Sequence, residues 1–403
     1  MRRRIASSLA HITINGESKK FASLYARRFS SATEPNADAK IEFASNNRSA
    51  AKGVTVTQHT SSHRNSYASN ATYNIHSNNE SMELVDSLLL RTSEMMNPHA
   101  ANVVAYSGGV DSSLVAALVH RVFSDYSNMI TPNNNNSTRR GSVQAVLGIS
   151  HAVPQTQIDV ARKVAGSIGI RLMEVPTAEG SDEAYIRNDG HACFVCKTHL
   201  YSTLNAVADA FMEQITNDID GQNGGDRQQV ILYNGTNADD TQDPTRLGLQ
   251  AASNFSVKSP LNHITKDQVR QAAKYLGLSN WNAAASPCLR SRLAMGVMAT
   301  EQHLRAVELA EAFVRQVLNL DETINARVRM LAGGKAMVEL DNSIIESETE
   351  LYDLATKLDD HGFGEKCVKE WNFRQFGGVR GFKTGSVAAM PEDRDAPLAA
   401  ATL

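Results

Sequence analysis

The chain has 403 residues, 42% of them hydrophobic and 21% charged, with a formal net charge of -3. That length allows two domains and a sizeable core, and the near balance of charge gives no global attraction to nucleic acid or to an anionic membrane. The longest apolar stretches are strand-sized and broken by charge, so no transmembrane helix is expected. Four cysteines in a chain this long are not a secreted disulfide framework.

Residues 1–33 carry Arg2, Arg3, Arg4, Lys19, Lys20, Arg27 and Arg28 against a single acid, Glu17, among scattered Ser and Thr. An Arg-rich, Ser-rich, acid-poor segment has the composition of an organellar transit peptide. Arg27-Arg28-Phe29-Ser30-Ser31 resembles a mitochondrial processing site, which places the protein in the mitochondrial matrix, with plastid or cytoplasm as alternatives. Residues 34–79 are rich in Asn, Ser, Thr and Ala and read as a disordered linker.

Periodic sequence starts near Glu80, where Met82, Val85, Leu88 and Leu89 fall at helical spacing. Asn102–Tyr106 reads as a short buried strand that runs directly into Ser107-Gly108-Gly109-Val110-Asp111-Ser112, and the apolar run Leu114–Val122 reads as a helix. Strands at Val143–Ile149, Ile170–Val175 and Val230–Tyr233 alternate with helices at Gln155–Ile168 and after Cys196. Polar insertions at 132–141 and 217–228 read as surface loops. Thr265-x-x-Gln268 has the form of a capping box opening a helix over 266–277. This alternation predicts an α/β domain over 80–285 with a parallel sheet, whose ligands bind beyond the carboxyl ends of the strands. From about 286 to 385 the pattern changes to a smaller α+β domain. Leu304, Val307, Ala310, Val314 and Val317 stripe one helix, Ile324–Met330 alternates as a strand, and Ala336–Leu340 forms its hairpin partner. Residues 386–403 read as a tail.

Three stretches carry chemistry. In Ser107–Ser112, between strand and helix, Gly108 and Gly109 let the backbone approach an anion, Ser107 and Ser112 add donors, and Asp111 suits a Mg²⁺ bridging phosphates. Gly-Lys-Ser/Thr is missing, so the loop is not of the Walker type. Cys193-Phe194-Val195-Cys196 is open to four readings: a zinc half-site, a redox pair, cluster ligands or two buried thiols. Cys288 lies in Ser286-Pro287-Cys288-Leu289-Arg290-Ser291-Arg292, where guanidinium charge favours a thiolate or holds a phosphate.

The loop matches the SGG-x-DS signature of PP-loop ATP pyrophosphatases. With Cys193-x-x-Cys196-Lys197, Gly235-Thr236-Asn237-Ala238-Asp239-Asp240 and Ser286–Arg292 following in order, residues 80–385 resemble the LarE-type ATP-dependent sulfur transferases. The resemblance implies an adenine nucleotide alpha hydrolase-like (PP-loop) fold and a small-molecule mononucleotide substrate, pyridinium-3,5-biscarboxylic acid mononucleotide. In that family ATP adenylylates a carboxylate, sulfur attacks, AMP leaves and a thiocarboxylate results. The implied ATP and phosphate contacts are Ser107, Gly108, Gly109, Asp111, Ser112, Gly235, Asn237, Asp240 and Arg327, with Mg²⁺. The implied catalytic residues are Cys288, Arg292 and Glu311. Two sulfur sources occur in the family, a sacrificed cysteine and a 4Fe–4S cluster with sulfide on its fourth iron. Cys193 and Cys196 beside Cys288 favour the cluster. The family tends to form homo-oligomers. Leu293-Ala294-Met295-Gly296 departs from the usual Ile/Phe-Pro-Tyr-Gly, a difference in the lining of the substrate pocket. Alternatives are tRNA thiolation, amide formation as in NAD or GMP synthetases, and a non-catalytic nucleotide-binding protein. The first calls for a basic surface, whereas this chain is slightly acidic overall, and the second leaves the three cysteines without a task.

Overall fold

In the computed structural model the structure describes residues 67–130, 141–217, 230–242, 247–285, 287–345 and 347–382. The Arg-rich leader, most of the expected linker, nearly all of both polar insertions and the tail lie outside the described residues. The first described helix, α1 (Tyr67–Met95), begins upstream of the Glu80 boundary.

The first sheet grows around β1 (Ala101–Tyr106), which is buried along its whole length. Its residues alternate between two cores, as the period of two in a strand requires. Val104 and Tyr106 join α1, α2 (Val110–Ile130) and α3 (Gln155–Ile168) on one side. Val103 and Ala105 join Tyr201, Leu204 and Ala208 of α4 (Ala192–Asn217) on the other. β2 (Ser142–Ile149), β3 (Leu172–Pro176) and β4 (Val230–Tyr233) complete an all-parallel sheet in the order β3-β2-β1-β4. The order reverses at β1, so the loops leaving β1 and β4 flank the switch point where such sheets bind ligands. α5 (Leu247–Asn254) packs with α4, and α6 (Lys266–Tyr275) with α1 and α2. Both halves of the expected capping box at the start of α6 are present.

The smaller unit has α7 (Glu301–Leu318), an antiparallel pair of β5 (Ala326–Leu331) and β6 (Lys335–Leu340), α8 (Glu348–Asp360), α9 (Phe363–Lys369) and β7 (Gln375–Gly381) parallel to β6. Its core gathers the α7 stripe with Phe363, Trp371 and Cys367, the last fully buried. Cys367 is therefore a core side chain, and burial pushes its thiol up to about 12. The same core takes in Tyr185 and Ala192 from the chain before β4, so the two units share apolar surface.

Two local expectations differ from the structure. Cys193 and Cys196 lie inside the start of α4, not ahead of it, which puts them on one face of the first turn. β5 alternates in sequence yet is buried on both faces, because its arginines face partners or aromatic surface instead of water.

Candidate active site

The chain leaves β1 through Ser107, and Gly108 takes a left-handed conformation at φ 74. An added Cβ there would sit 2.6 Å from Ala161 Cβ, so close packing on α3 admits only glycine. Ser112 Oγ accepts from Ser107 N at 3.1 Å and donates to Gly109 O at 3.0 Å, closing the loop on itself. The loop after β4 presses on it from the far side of the switch point. A Cβ on Gly235 would meet Asp111 C and Ser112 N at 2.8 Å. Asn237 and Asp240 cap a short helical turn, Ala238–Thr241, reciprocally, and Asn237 Nδ2 then donates to Asp111 Oδ1 at 3.0 Å. The other Asp111 oxygen is ion-paired with Lys266 Nζ. Sequence-predicted Ser107, Gly108, Gly109, Asp111, Ser112, Gly235, Asn237 and Asp240 thus form one cluster, in which Asn237 and Asp240 shape the loop and Asp111 is held by two neighbours.

The thiols also converge. The turn Leu289–Arg292 docks on the loop leaving β2, with Leu289 N donating to Ala152 O at 2.8 Å. This brings Cys288 to the carboxyl edge of the sheet, the edge that carries the phosphate loop. Cys196 and Cys288 pack on the core of the smaller unit beside Tyr185. Arg290 reaches between the two segments. It donates to Cys193 Sγ at 2.8 Å and to Asn188 Oδ1 at 2.8 Å. Burial would lower its pKa, but the neighbouring Cys288 and Cys193 raise it, so the guanidinium stays charged. Burial, with Cys288 and the Glu179 carboxylate nearby, pushes the Cys196 thiol up to about 12. Its Sγ–H points to Glu179 Oε1 at 3.9 Å. Three soft sulfur donors from two segments are the donor type of an iron–sulfur cluster that keeps one iron open. As the side chains stand, no group of three or more His, Cys, Asp or Glu among the described residues has metal-holding spacing. The donor set fits such a group in kind, and Arg290 is the cation that faces two of its thiols.

The remaining predicted residues lie behind the Cys288 turn. Arg292 is buried and spends its donors on structure. Nε and Nη2 fork onto Glu311 at 2.8 and 3.3 Å, while Nη1 reaches Pro287 O, Cys288 O and Ser291 Oγ. Glu311 Oε1 also accepts from Val328 N at 3.1 Å. Neither is a solvated surface charge: together they fix the backbone on both sides of Cys288. Arg329 is paired with Glu339, which also holds Arg380. Arg327 is the exception. It is buried and stacks on Phe382, and no hydrogen bond or ion pair ties it to the described residues. Burial, with Arg292 and Arg329 beside it, lowers its pKa to about 10. An internal cation of this kind is a ready partner for an anion.

Sequence reading missed Lys266, Gln157, Asn280 and Glu179. Lys266 had one signal, a cation in the first turn of a helix, where the dipole disfavours it. Gln157, Asn280 and Glu179 had none, since each acts across a long sequence separation. The buried Glu179 Oε2, Tyr185 Oη and Asn280 Oδ1 have no hydrogen-bond partner among the described residues.

The fold and site define a parallel α/β protein of PP-loop-like form, with a glycine-rich loop at the switch point, thiols on the same edge and a small mixed-sheet unit behind them. The chain is 32% identical over 217 residues to the uncharacterized protein slr1717 of Synechocystis, a match spanning 53% of this chain and 69% of that protein. It belongs to the same family as that protein. Pyridinium-3,5-bisthiocarboxylic acid mononucleotide synthase of Lactiplantibacillus plantarum is 28% identical over 216 residues, 53% of this chain and 67% of the enzyme, which marks the family as LarE-like. The uncharacterized protein MJ0830 of Methanocaldococcus jannaschii is 22% identical over 277 residues, 68% of this chain and 91% of that protein. No family model matches the chain. Among the described residues no helix is long and apolar enough to cross a membrane.

Proposed function

We propose that the protein is a PP-loop ATP-dependent sulfur transferase that turns a carboxylate of a mononucleotide into a thiocarboxylate. One observation carries the reading: a polyanion cradle and three thiols share the carboxyl edge of one sheet, joined through the loop leaving β2. Ser107–Ser112 and the first turn of α2 would hold the pyrophosphate end of ATP, and Asp111, an oxygen donor suited to a hard cation, would hold Mg²⁺. The substrate carboxylate attacks the α-phosphorus, the bond to the β-phosphate bridging oxygen breaks, and pyrophosphate leaves. A sulfur nucleophile then attacks the acyl carbon, and AMP leaves with the carboxylate oxygen. Cationic groups along the phosphates stabilise the charge that develops on the leaving oxygens.

The product named for the Lactiplantibacillus enzyme, a pyridinium bisthiocarboxylic acid mononucleotide, makes the corresponding dicarboxylic acid mononucleotide the substrate we favour. Arg327, buried and with no hydrogen bond or ion pair to its side chain among the described residues, suits its phosphate. Cys193, Cys196 and Cys288 would hold a 4Fe–4S cluster, which when bound would supply an exchangeable sulfide. Arg292 and Glu311 act by holding the Cys288 turn. The leader read over 1–33 assigns the activity to the mitochondrial matrix, which fractionation of cells expressing the full chain tests.

The deciding experiment follows pyrophosphate release from Mg·ATP by anaerobically purified protein offered pyridinium-3,5-biscarboxylic acid mononucleotide. The expected product is heavier by the replacement of one oxygen with sulfur. No pyrophosphate release with this or any other mononucleotide carboxylate would refute the proposal.

A further inference from the structure

Two carboxamides from distant elements hold successive carbonyls of the phosphate loop. Gln157 of α3 donates through Nε2 to Ser107 O at 2.7 Å. Asn280, on the segment after α6, donates through Nδ2 to Gly108 O at 2.7 Å and to Ser113 Oγ at 3.0 Å. In a trans peptide the C=O of one residue and the N–H of the next point to opposite sides. Fixing Ser107 O and Gly108 O therefore turns the Gly108 and Gly109 N–H groups away from the two amides. The left-handed Gly108 lets both peptides take this orientation. Among the described residues Gly109 N–H has only a long 3.4 Å contact to Ser107 Oγ, which leaves it available to a stronger acceptor. Successive N–H groups presented in this way make an anion-binding concavity.

The cost of the arrangement marks it as built for that purpose. Asn280 is buried, and its Oδ1 has no partner among the described residues, a desolvation penalty that an apolar side chain of similar size would not carry. The orientation of its amide is fixed, because the other choice would set Oδ1 against Gly108 O. Both donors are also neutral. A Lys or Arg at either place would hold the carbonyl equally well but would add a fixed charge behind the loop and compete for its ligand.

We infer that Gln157 and Asn280 are positioning residues that orient the Ser107–Gly109 peptides toward the terminal phosphates of a nucleotide. This inference rests on the ATP reading of the loop, and it names residues outside the loop motif that the reading needs.

The test is calorimetry on the full chain with Mg·ATP, Mg·pyrophosphate and adenosine as separate probes, for wild type, Q157E, Q157M and N280D. Q157E and N280D keep side-chain size, remove the donor and turn an acceptor toward the carbonyl. Each is expected to weaken ATP and pyrophosphate binding by about tenfold or more. Q157M is expected to show a smaller loss, and adenosine binding should be the same in all four proteins. A general structural defect would weaken all three probes alike. Gln157 lies at the surface of α3, so Q157E decides the matter even if N280D does not fold. Pyrophosphate and ATP binding at wild-type strength in Q157E would overturn the inference. Loss of affinity that extends equally to adenosine would overturn it too. Weakened binding in the variants, with no pyrophosphate release by wild type, would leave the inference standing and remove adenylylation. Release by wild type with unaltered affinity in the variants would do the reverse, and a wild type that binds neither ATP nor pyrophosphate would sink both.

Discussion

Replacing Arg292 by Ala should release the turn that carries Cys288 without disturbing nucleotide binding. The Arg292 and Glu311 side chains are only 4% and 13% exposed, and the pair is forked. Removing one member leaves Glu311 desolvated with a single backbone donor, Val328 N. Breaking a buried pair in this way costs about 3–5 kcal/mol, which lowers the melting temperature by about 10 °C in a chain of this size. Removing both partners, as in Arg292→Met with Glu311→Leu, leaves no stranded charge and should recover part of the loss. The coupling expected from the cycle is about 2 kcal/mol. Melts of the wild type, Arg292→Met, Glu311→Leu and the double variant close that cycle. Mg·ATP affinity, measured on the same proteins, should stay at the wild-type value, because the polar partners of Arg292 are Glu311, Pro287, Cys288 and Ser291 and none belongs to Ser107–Ser112. Thiocarboxylate formation should fall, because Pro287 O and Cys288 O lose the donor that holds them. Single-variant losses that add to within about 0.5 kcal/mol would show that the two residues do not act as a pair.

Three further outcomes follow from particular contacts. Gly235→Ala drives a Cβ into backbone atoms of Asp111 and Ser112, so it should cost about 1–3 kcal/mol in urea melts and weaken Mg·ATP binding by parting the two loops. Arg327→Met removes a buried cation with no ion pair or side-chain hydrogen bond among the described residues, whose pKa burial and the neighbouring Arg292 and Arg329 lower despite Glu311 and Glu339. The variant should melt no lower than wild type in phosphate-free buffer and should lose the stabilisation that wild type gains from added mononucleotide; a clear drop in buffer alone would contradict this. Burial raises the Cys367 thiol from 9.0 to about 12. The folded state therefore holds its proton more tightly than the unfolded chain, and the associated stability is intact below about pH 9 and is lost as pH rises toward 12. Denaturant midpoints across that range should fall in wild type and fall less in Cys367→Ala.

The sequence by itself determined the features that local rules govern. The run Asn102–Tyr106 followed by two glycines and two serines marked a buried strand ending in an anion loop, because strand burial, glycine φ and helix N-termini each act over a few residues. Period changes marked the parallel α/β unit and the β5–β6 hairpin, and Thr265 with Gln268 marked the cap of α6. Tertiary structure decided everything that joins distant segments. Asn280 meets Gly108 across 172 residues, Arg290 meets Cys193 across 97, and Lys266 pairs with Asp111 across 155. None of these pairs has a period or a spacing. The same distinction explains the arginines. Alternation put Arg327 and Arg329 at polar positions and the Cys288 loop carried Arg292, but only the packing of the Leu289–Arg292 turn, α7 and β6 could show which of them pair with carboxylates and which has no ion pair among the described residues.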